Sequence, residues 1–303
     1  MAVGAQALSP ARVWEALVSG GGAPADLIVH EVRVPRMVLA LAVGAALAVG
    51  GALVQTMTRN PLAEPGLLGV TAGAGFAVTV GSALGVAGSQ YARLTLAVVG
   101  AVGAALVVFA VGRAAPLRLL LAGVALSAVL AGISLGLRLM LPDTLDRYRF
   151  WTVGSLAGRE QLALTVPLLV IAAALIGAVA AARPLSALVL GDDVARELGT
   201  NVARTRVAVV ALVTVLAGAA TAVAGPIAFV GLIVPHLARR LAGGSIPWLV
   251  AFTMVLGPVL MLVSDVGSRV LLPTGEVPVA VVTSVLGGPV LIWVVRRYGA
   301  AAL

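Results

Sequence analysis

The chain of 303 residues contains no cysteine and no lysine. Without cysteine it forms no disulfide, offers no thiolate to a metal and has no cysteine nucleophile. Without lysine it has nothing to place on the β- and γ-phosphates of a nucleotide-binding P-loop, and no side-chain amine for Schiff-base chemistry. Work driven by ATP therefore has to come from a partner. Charge is scarce as well: 11% of the residues are charged, against about 25% in soluble domains, which excludes an ordinary soluble globular protein. Histidine occurs only as His30 and His236, and neither lies in an HExxH pattern or near a second ligand at suitable spacing. No segment carries a serine-nucleophile motif. These absences argue against an enzyme and against a metal site, and no cofactor is expected.

What the chain has in abundance is apolar sequence. Hydrophobic residues make up 61% of it, in runs close to the length of about 20 residues needed to cross a hydrocarbon core of about 30 Å. Nine such segments lie near 35–54, 66–85, 94–111, 117–137, 162–182, 207–223, 225–237, 247–263 and 277–295. A β-barrel would show short segments of alternating character instead. The expected fold is therefore all-α, a polytopic bundle of membrane helices. Glycine and alanine crowd these segments, as at Gly44, Ala48, Gly50, Gly51, Gly100, Gly103 and Ala104. Small residues let helices approach closely where lipid supplies no hydrophobic drive for association.

All 20 basic residues are arginine and the net charge is +8. The arginines stand singly or in pairs between apolar runs, as loop charges do, so no nucleic-acid partner is expected. With the 183–206 loop inside, the arginine count favours that side only slightly. Residues 1–30 read as a lead-in with an amphipathic helix around 11–18 and a Gly-rich turn at 20–22; residues 31–303 read as the membrane domain.

Three stretches break the apolar pattern. The segment 225–237 is too short for a span and has proline near both ends, the mark of a half-helix or a strong bend near a pathway. The linker 141–161 mixes charges with Tyr148, Phe150 and Trp151, aromatics that favour the membrane–water interface. The loop 183–206 holds a short helix at 192–198, with acids at its start and Gly199 at its end. Asp265 is the acid nearest a span interior and stands four residues from Arg269, the spacing of an intrahelical pair.

Six motifs occur in order: RVPR (33–36), RNPLAEPGLLGV (59–70), LGDDVARELG (190–199), AGPIAFVGLIVPHLARRL (224–241), SDVGSR (264–269) and GEVPVAVVTSVLGGPVLIWVVRR (275–297). Together they resemble the FecCD family, permease subunits of ABC importers for ferric siderophores, haem and cobalamin. The resemblance covers about 31–297. It implies a type II importer permease in the bacterial cytoplasmic membrane. Its partners would be a second permease subunit, identical or related, two cytoplasmic ATPases and an extracytoplasmic substrate-binding protein. On the matching positions it implies docking of the binding protein by Arg33, Arg36 and Arg269, and seating of the ATPases on a coupling loop with Gly191, Asp192, Asp193, Arg196, Leu198 and Gly199. It also implies an inner gate at Asn60, Pro61 and Leu62, and a short helix at 150–159, with Trp151, Gly154 and Ser155, lining the outer mouth.

Two departures stand out. The family has ten spans where nine segments are found here, so the pattern implies a further span encoded upstream of the collar. The approach to the fourth segment, Ala115-Pro116-Leu117, lacks the hydroxyl residues of some relatives. Likeness in DRYRFWTVGSLAGR (146–159) favours a ferric siderophore as cargo, with haem and cobalamin as alternatives on the same scaffold. An ion-coupled secondary carrier, with Asp265 as its coupling group, is the competing class.

Overall fold

A computed structural model describes residues 8–19, 24–112, 116–141, 153–159, 164–272 and 275–298. Helix α1 (Pro10–Ser19) is the amphipathic lead-in, with Val13 and Ala16 buried and Trp14 exposed. Helix α2 (Pro24–Leu27) runs through a π-helical turn (Ile28–Arg33) into α3 (Val34–Thr58), making one continuous helix. Residue 30, where the lead-in was expected to end, lies within it. Pro35 has no N–H to give the preceding turn, and the helix widens just ahead of it. The His30 ring nitrogen Nε2 bonds the Ala16 carbonyl at 2.8 Å, tying α1 to the π turn.

A 3-10 turn (Pro65–Leu68) leads to α4 (Val70–Ala83), followed by α5 (Gln90–Gly112) and α6 (Pro116–Met140). Then come α7 (Thr165–Val189), the short α8 (Asp192–Glu197) and α9 (Val202–Ala224). The chain ends with α10 (Val230–Ala242), α11 (Ile246–Val270) and α12 (Val279–Tyr298). No strand occurs among the described residues.

Among the described residues, six helices are long and apolar enough to cross a membrane: those spanning Pro24–Thr58, Gln90–Gly112, Leu117–Met140, Thr165–Val189, Val202–Ala224 and Ile246–Val270. Burial sorts them. The most apolar window of the first is 78% buried and that of α9 is 72%, against 22–28% for the others. Helices α3 and α9 are therefore the central pair, and the rest surround them. The outer helices turn Val99, Leu106, Leu121, Leu139 and Ile176 outward. Such a continuous apolar exterior suits lipid and would not suit water.

Glycine decides how closely the centre packs. A Cβ on Gly44 of α3 would stand 2.6 Å from the Gly257 carbonyl oxygen of α11, so these backbones touch where no side chain fits. Gly51 meets Gly231 of α10 in the same way. Gly103, equally conspicuous in the sequence, faces open space. Several threonines inside the helices satisfy themselves locally: Thr56, Thr79 and Thr214 each donate to the carbonyl four residues back at 2.7–2.8 Å.

Two segments differ from expectation. The run 66–85 is not one span: the 3-10 turn ends at Gly69 with φ +77°, and α4 has only 14 residues. The run 225–237 does not begin as helix. Residues 225–229 are non-helical, Phe229 takes φ +69°, and α10 then runs beyond 237 past Arg239 and Arg240. Helices α4 and α10 are both too short to span, and each follows a corner with the pattern Pro-x-Ala-x-x-Gly-Leu, at 61–67 and 226–232. The two corners meet inside the bundle beside Pro65 and Gly231.

Candidate functional site

Polar chemistry gathers at three places. The first is the end of the bundle where α3 begins and α11 finishes. The Arg36 guanidinium donates from Nε to Asp265 Oδ1 at 2.9 Å and from Nη1 to Glu276 Oε1 at 3.1 Å. Its Nη2 lies 2.9 Å from Asp265 Oδ1 and 2.8 Å from Glu276 Oε2. Arg269 Nη2 donates to Asp265 Oδ2, closing the expected pair four residues apart. The side chains of Arg36, Arg269 and Asp265 are only 8%, 9% and 2% exposed, while that of Glu276 is 35% exposed.

Arg33 is buried beside this group, within electrostatic reach of Arg269. The structure thus brings the three expected docking arginines together, but not as an open collar. Both edges of Arg36 are occupied by acids of this same chain. One of them, Glu276, was not among the sequence candidates.

The second place is the opposite end, where α8 sits between α7 and α9. Gly191 (φ +116°) opens α8, and Gly199 (φ +78°) closes it with bonds from Gly199 N–H to the Arg196 carbonyl and from Thr200 N–H to the Ala195 carbonyl, both 2.9 Å. The acids at its start suit the helix dipole, but they do not cap it by side-chain hydrogen bonds. Asp192 instead accepts from Arg206 Nη2 at 2.9 Å and stands 3.6 Å from Arg59 Nη2. Asp193 pairs with Arg196 at 2.6 Å in full view of solvent. Val194, Leu198 and Leu190 are exposed around them, whereas Ala195 is fully buried and anchors the helix.

Arg59 links this helix to the corner after α3. It holds φ +51° at the α3 C-cap, uncommon for a residue with a side chain, and donates from Nη2 to the Leu188 carbonyl at 2.5 Å. Next, Asn60 Oδ1 accepts the Leu62 N–H at 2.9 Å, an Asx turn that projects Leu62 outward. Farther on, Glu64 Oε1 accepts the Phe229 N–H at 2.9 Å. Glu64 borders a cavity of about 170 Å³ between the two corners, with Gly66, Thr71, Pro226 and Ala228.

The third place is the segment 153–159, which is built of turns, not of the short helix expected at 150–159. Trp151 lies outside the described residues. Gly154 (φ +60°) packs against the Pro226 carbonyl so closely that a Cβ would overlap it, and its own carbonyl accepts the Ala280 N–H at 3.0 Å. Ser155 N–H donates to the Ala224 carbonyl at 2.9 Å, and its hydroxyl accepts the Ala157 N–H at 3.1 Å. The segment therefore rests on the chain break between α9 and α10.

Sequence reasoning missed Glu64, Arg59, Arg206, Phe229 and Glu276. The repeated Pro-x-Ala-x-x-Gly-Leu pattern was the one signal that could have singled out Glu64 and Phe229, which hold the same position in its two copies.

Residues 1–297 match the model of the FecCD transport family. The chain is 46% identical to the ferric enterobactin transport system permease protein FepD of Escherichia coli, over 97% of this chain and 90% of that one. It is 36% identical to the hemin transport system permease protein HmuU of Yersinia pestis, over 97% of this chain and 90% of that one. A solved structure described as an inward-facing conformation of a metal-chelate type ABC transporter superposes with TM-score 0.82 at 30% identity, covering 94% of this chain and 96% of that one.

Proposed function

The chain belongs to the FecCD transport family, and from that premise we propose that it imports a ferric siderophore as the membrane-spanning subunit of an ATP-driven complex in the bacterial cytoplasmic membrane. The observation that carries the cargo assignment is the 46% identity to a permease named for ferric enterobactin, against 36% to one named for hemin. Haem is the second reading. Two such subunits, two ATPases and a substrate-binding protein make up the working assembly.

Two of these partners have a candidate surface on this chain. The exposed face of α8, with Leu190, Val194 and Leu198 among Asp193 and Arg196, offers apolar contact and charge to an ATPase. At the other end, a binding protein approaches the cluster of Arg33, Arg36 and Arg269. A carboxylate from that protein reaches Arg36 by replacing Glu276, the more exposed of its two acids. Asn60, Pro61 and Leu62 face the pathway from the inner corner, and Gly154 and Ser155 help shape its outer mouth. Closure of the ATPases moves α8, and the subunit pair passes the ligand inward by alternating access.

The test is reconstitution of the tagged complex, purified from its own cell, in proteoliposomes. ATP-dependent uptake of the iron–siderophore complex found in the co-purified binding protein is expected. Haem in that protein would move the cargo to the second reading. Transport by this chain alone, without an ATPase, would overturn the class.

A further inference from the structure

The two membrane faces of this subunit are joined through its centre by two short arms. One starts at Arg59, whose guanidinium holds the Leu188 carbonyl at 2.5 Å and stands 3.6 Å from Asp192 of α8. Five residues later it reaches Glu64. The other starts at Ala224, the end of the spanning helix α9, whose carbonyl holds Ser155 of the outer segment. Five residues later it reaches Phe229. The arms meet where Glu64 Oε1 accepts the Phe229 N–H at 2.9 Å. Glu64 and Phe229 are the fourth residues of the two Pro-x-Ala-x-x-Gly-Leu corners, so like positions touch.

The chemistry of the meeting point is asymmetric. Phe229 stands at the N-cap of α10 with φ +69°, and its own side chain gives no hydrogen-bond cap. Glu64 supplies from another corner the acceptor that a capping-box Glu or Gln at the third helical position would supply locally, where this chain has Leu232, and a carboxylate suits a helix N-terminus. The start of α10 is thus held by the inner corner, and the inner corner is held to α8.

We propose that Glu64 is a positioning residue for transport: through its hydrogen bond to Phe229 it transmits displacement of α8 to the outer segment 153–159. This rests on the reading that α8 receives the ATPases. The path is contiguous, from Asp192 through Arg59, residues 60–64, Phe229 and residues 225–228 to Gly154 and Ser155.

The test uses the complete complex in proteoliposomes, with two readouts beside uptake: ATP hydrolysis stimulated by the loaded binding protein, and ATP-dependent change in maleimide labelling of Val153→Cys. Val153 is exposed on the outer segment, and the chain has no cysteine of its own. Glu64→Ala is expected to keep its ATPases and hydrolyse ATP, to move about tenfold less ligand per ATP, as loss of a hydrogen bond to a charged acceptor implies, and to lose the ATP-dependent labelling change. Glu64→Gln keeps an acceptor oxygen and restores coupling. Arg59→Ala uncouples in the same manner, and decides the matter where Glu64→Ala fails to assemble.

Wild-type stoichiometry in an assembled Glu64→Ala or Arg59→Ala complex overturns the proposal. So does a Glu64→Gln complex as defective as Glu64→Ala, which would place the effect in the charge and not in the hydrogen bond. A wild-type complex that shows no ATP-dependent uptake would refute the functional reading itself, which is a different result.

Discussion

Replacing Asp265 by asparagine is the sharpest probe of the Arg36–Asp265–Arg269 cluster. The carboxylate is 2% exposed and receives Arg36 Nε and Nη2, both at 2.9 Å, on one oxygen and Arg269 on the other. Asparagine keeps one acceptor but turns an NH₂ group toward a guanidinium, so at least one buried cation loses its counter-charge. Removing one member of a buried ion pair costs about 3–5 kcal/mol. At about 2–4 °C per kcal/mol for a chain approaching this size, the thermal midpoint falls on the order of 10 °C.

Glu276→Gln is the internal control. It touches the same guanidinium, but from a position 35% open to solvent, where an ion pair is worth at most about 1 kcal/mol; its midpoint falls by no more than about 4 °C. The measurement is soluble, monodisperse protein after heating in detergent, read by size exclusion. Equal shifts for the two variants, or an Asp265→Asn shift of about 2 °C or less, would refute the view that the cluster is an internal clamp.

Three further outcomes are expected. Arg36→Lys keeps the charge but loses the planar fork that spans two carboxylates, so its stability falls toward that of Asp265→Asn in the same heating assay. Gly51→Ala forces a methyl group into the Gly231 backbone and destabilises by about 1–3 kcal/mol or more, whereas Gly103→Ala meets open space and is neutral or slightly stabilising in the same heating assay. Leu198→Asp and Val194→Asp, on the exposed face of α8, weaken co-purification of the ATPase; Asp192→Asn, whose carboxylate holds Arg206 and Arg59, leaves the ATPase bound and lowers ATP-dependent uptake.

The Arg36–Asp265–Arg269 cluster shows where reading the sequence succeeds and where it stops. The Asp265–Arg269 pair was legible because both residues ride one helix, whose geometry fixes their separation. The partnership of Arg36 with Glu276 was not, since 240 residues separate them and only the packing of α3 against the end of α11 and the turn beyond brings them together. Helix α8 follows the same logic. Its extent and its Gly199 terminus were visible in local sequence, while the use of Asp192 to hold Arg206 and Arg59 depends on where α9 and the α3 corner lie.

By itself the sequence determined the class of the molecule and its family. Scarcity of charge, nine apolar segments and the lack of lysine and cysteine are sums over residues, and six ordered motifs survive without any knowledge of shape. Tertiary structure alone decided which glycines are contacts, with Gly44 and Gly51 against other backbones and Gly103 against none. It also decided that residues 225–229 break where they do, with Phe229 at φ +69° and its N–H bonded to Glu64, 165 residues away. Periodicity and composition act along the chain and can be read along it. The rotation and depth of one helix against another are set by all the contacts at once, and so are the partners of the charges those helices carry.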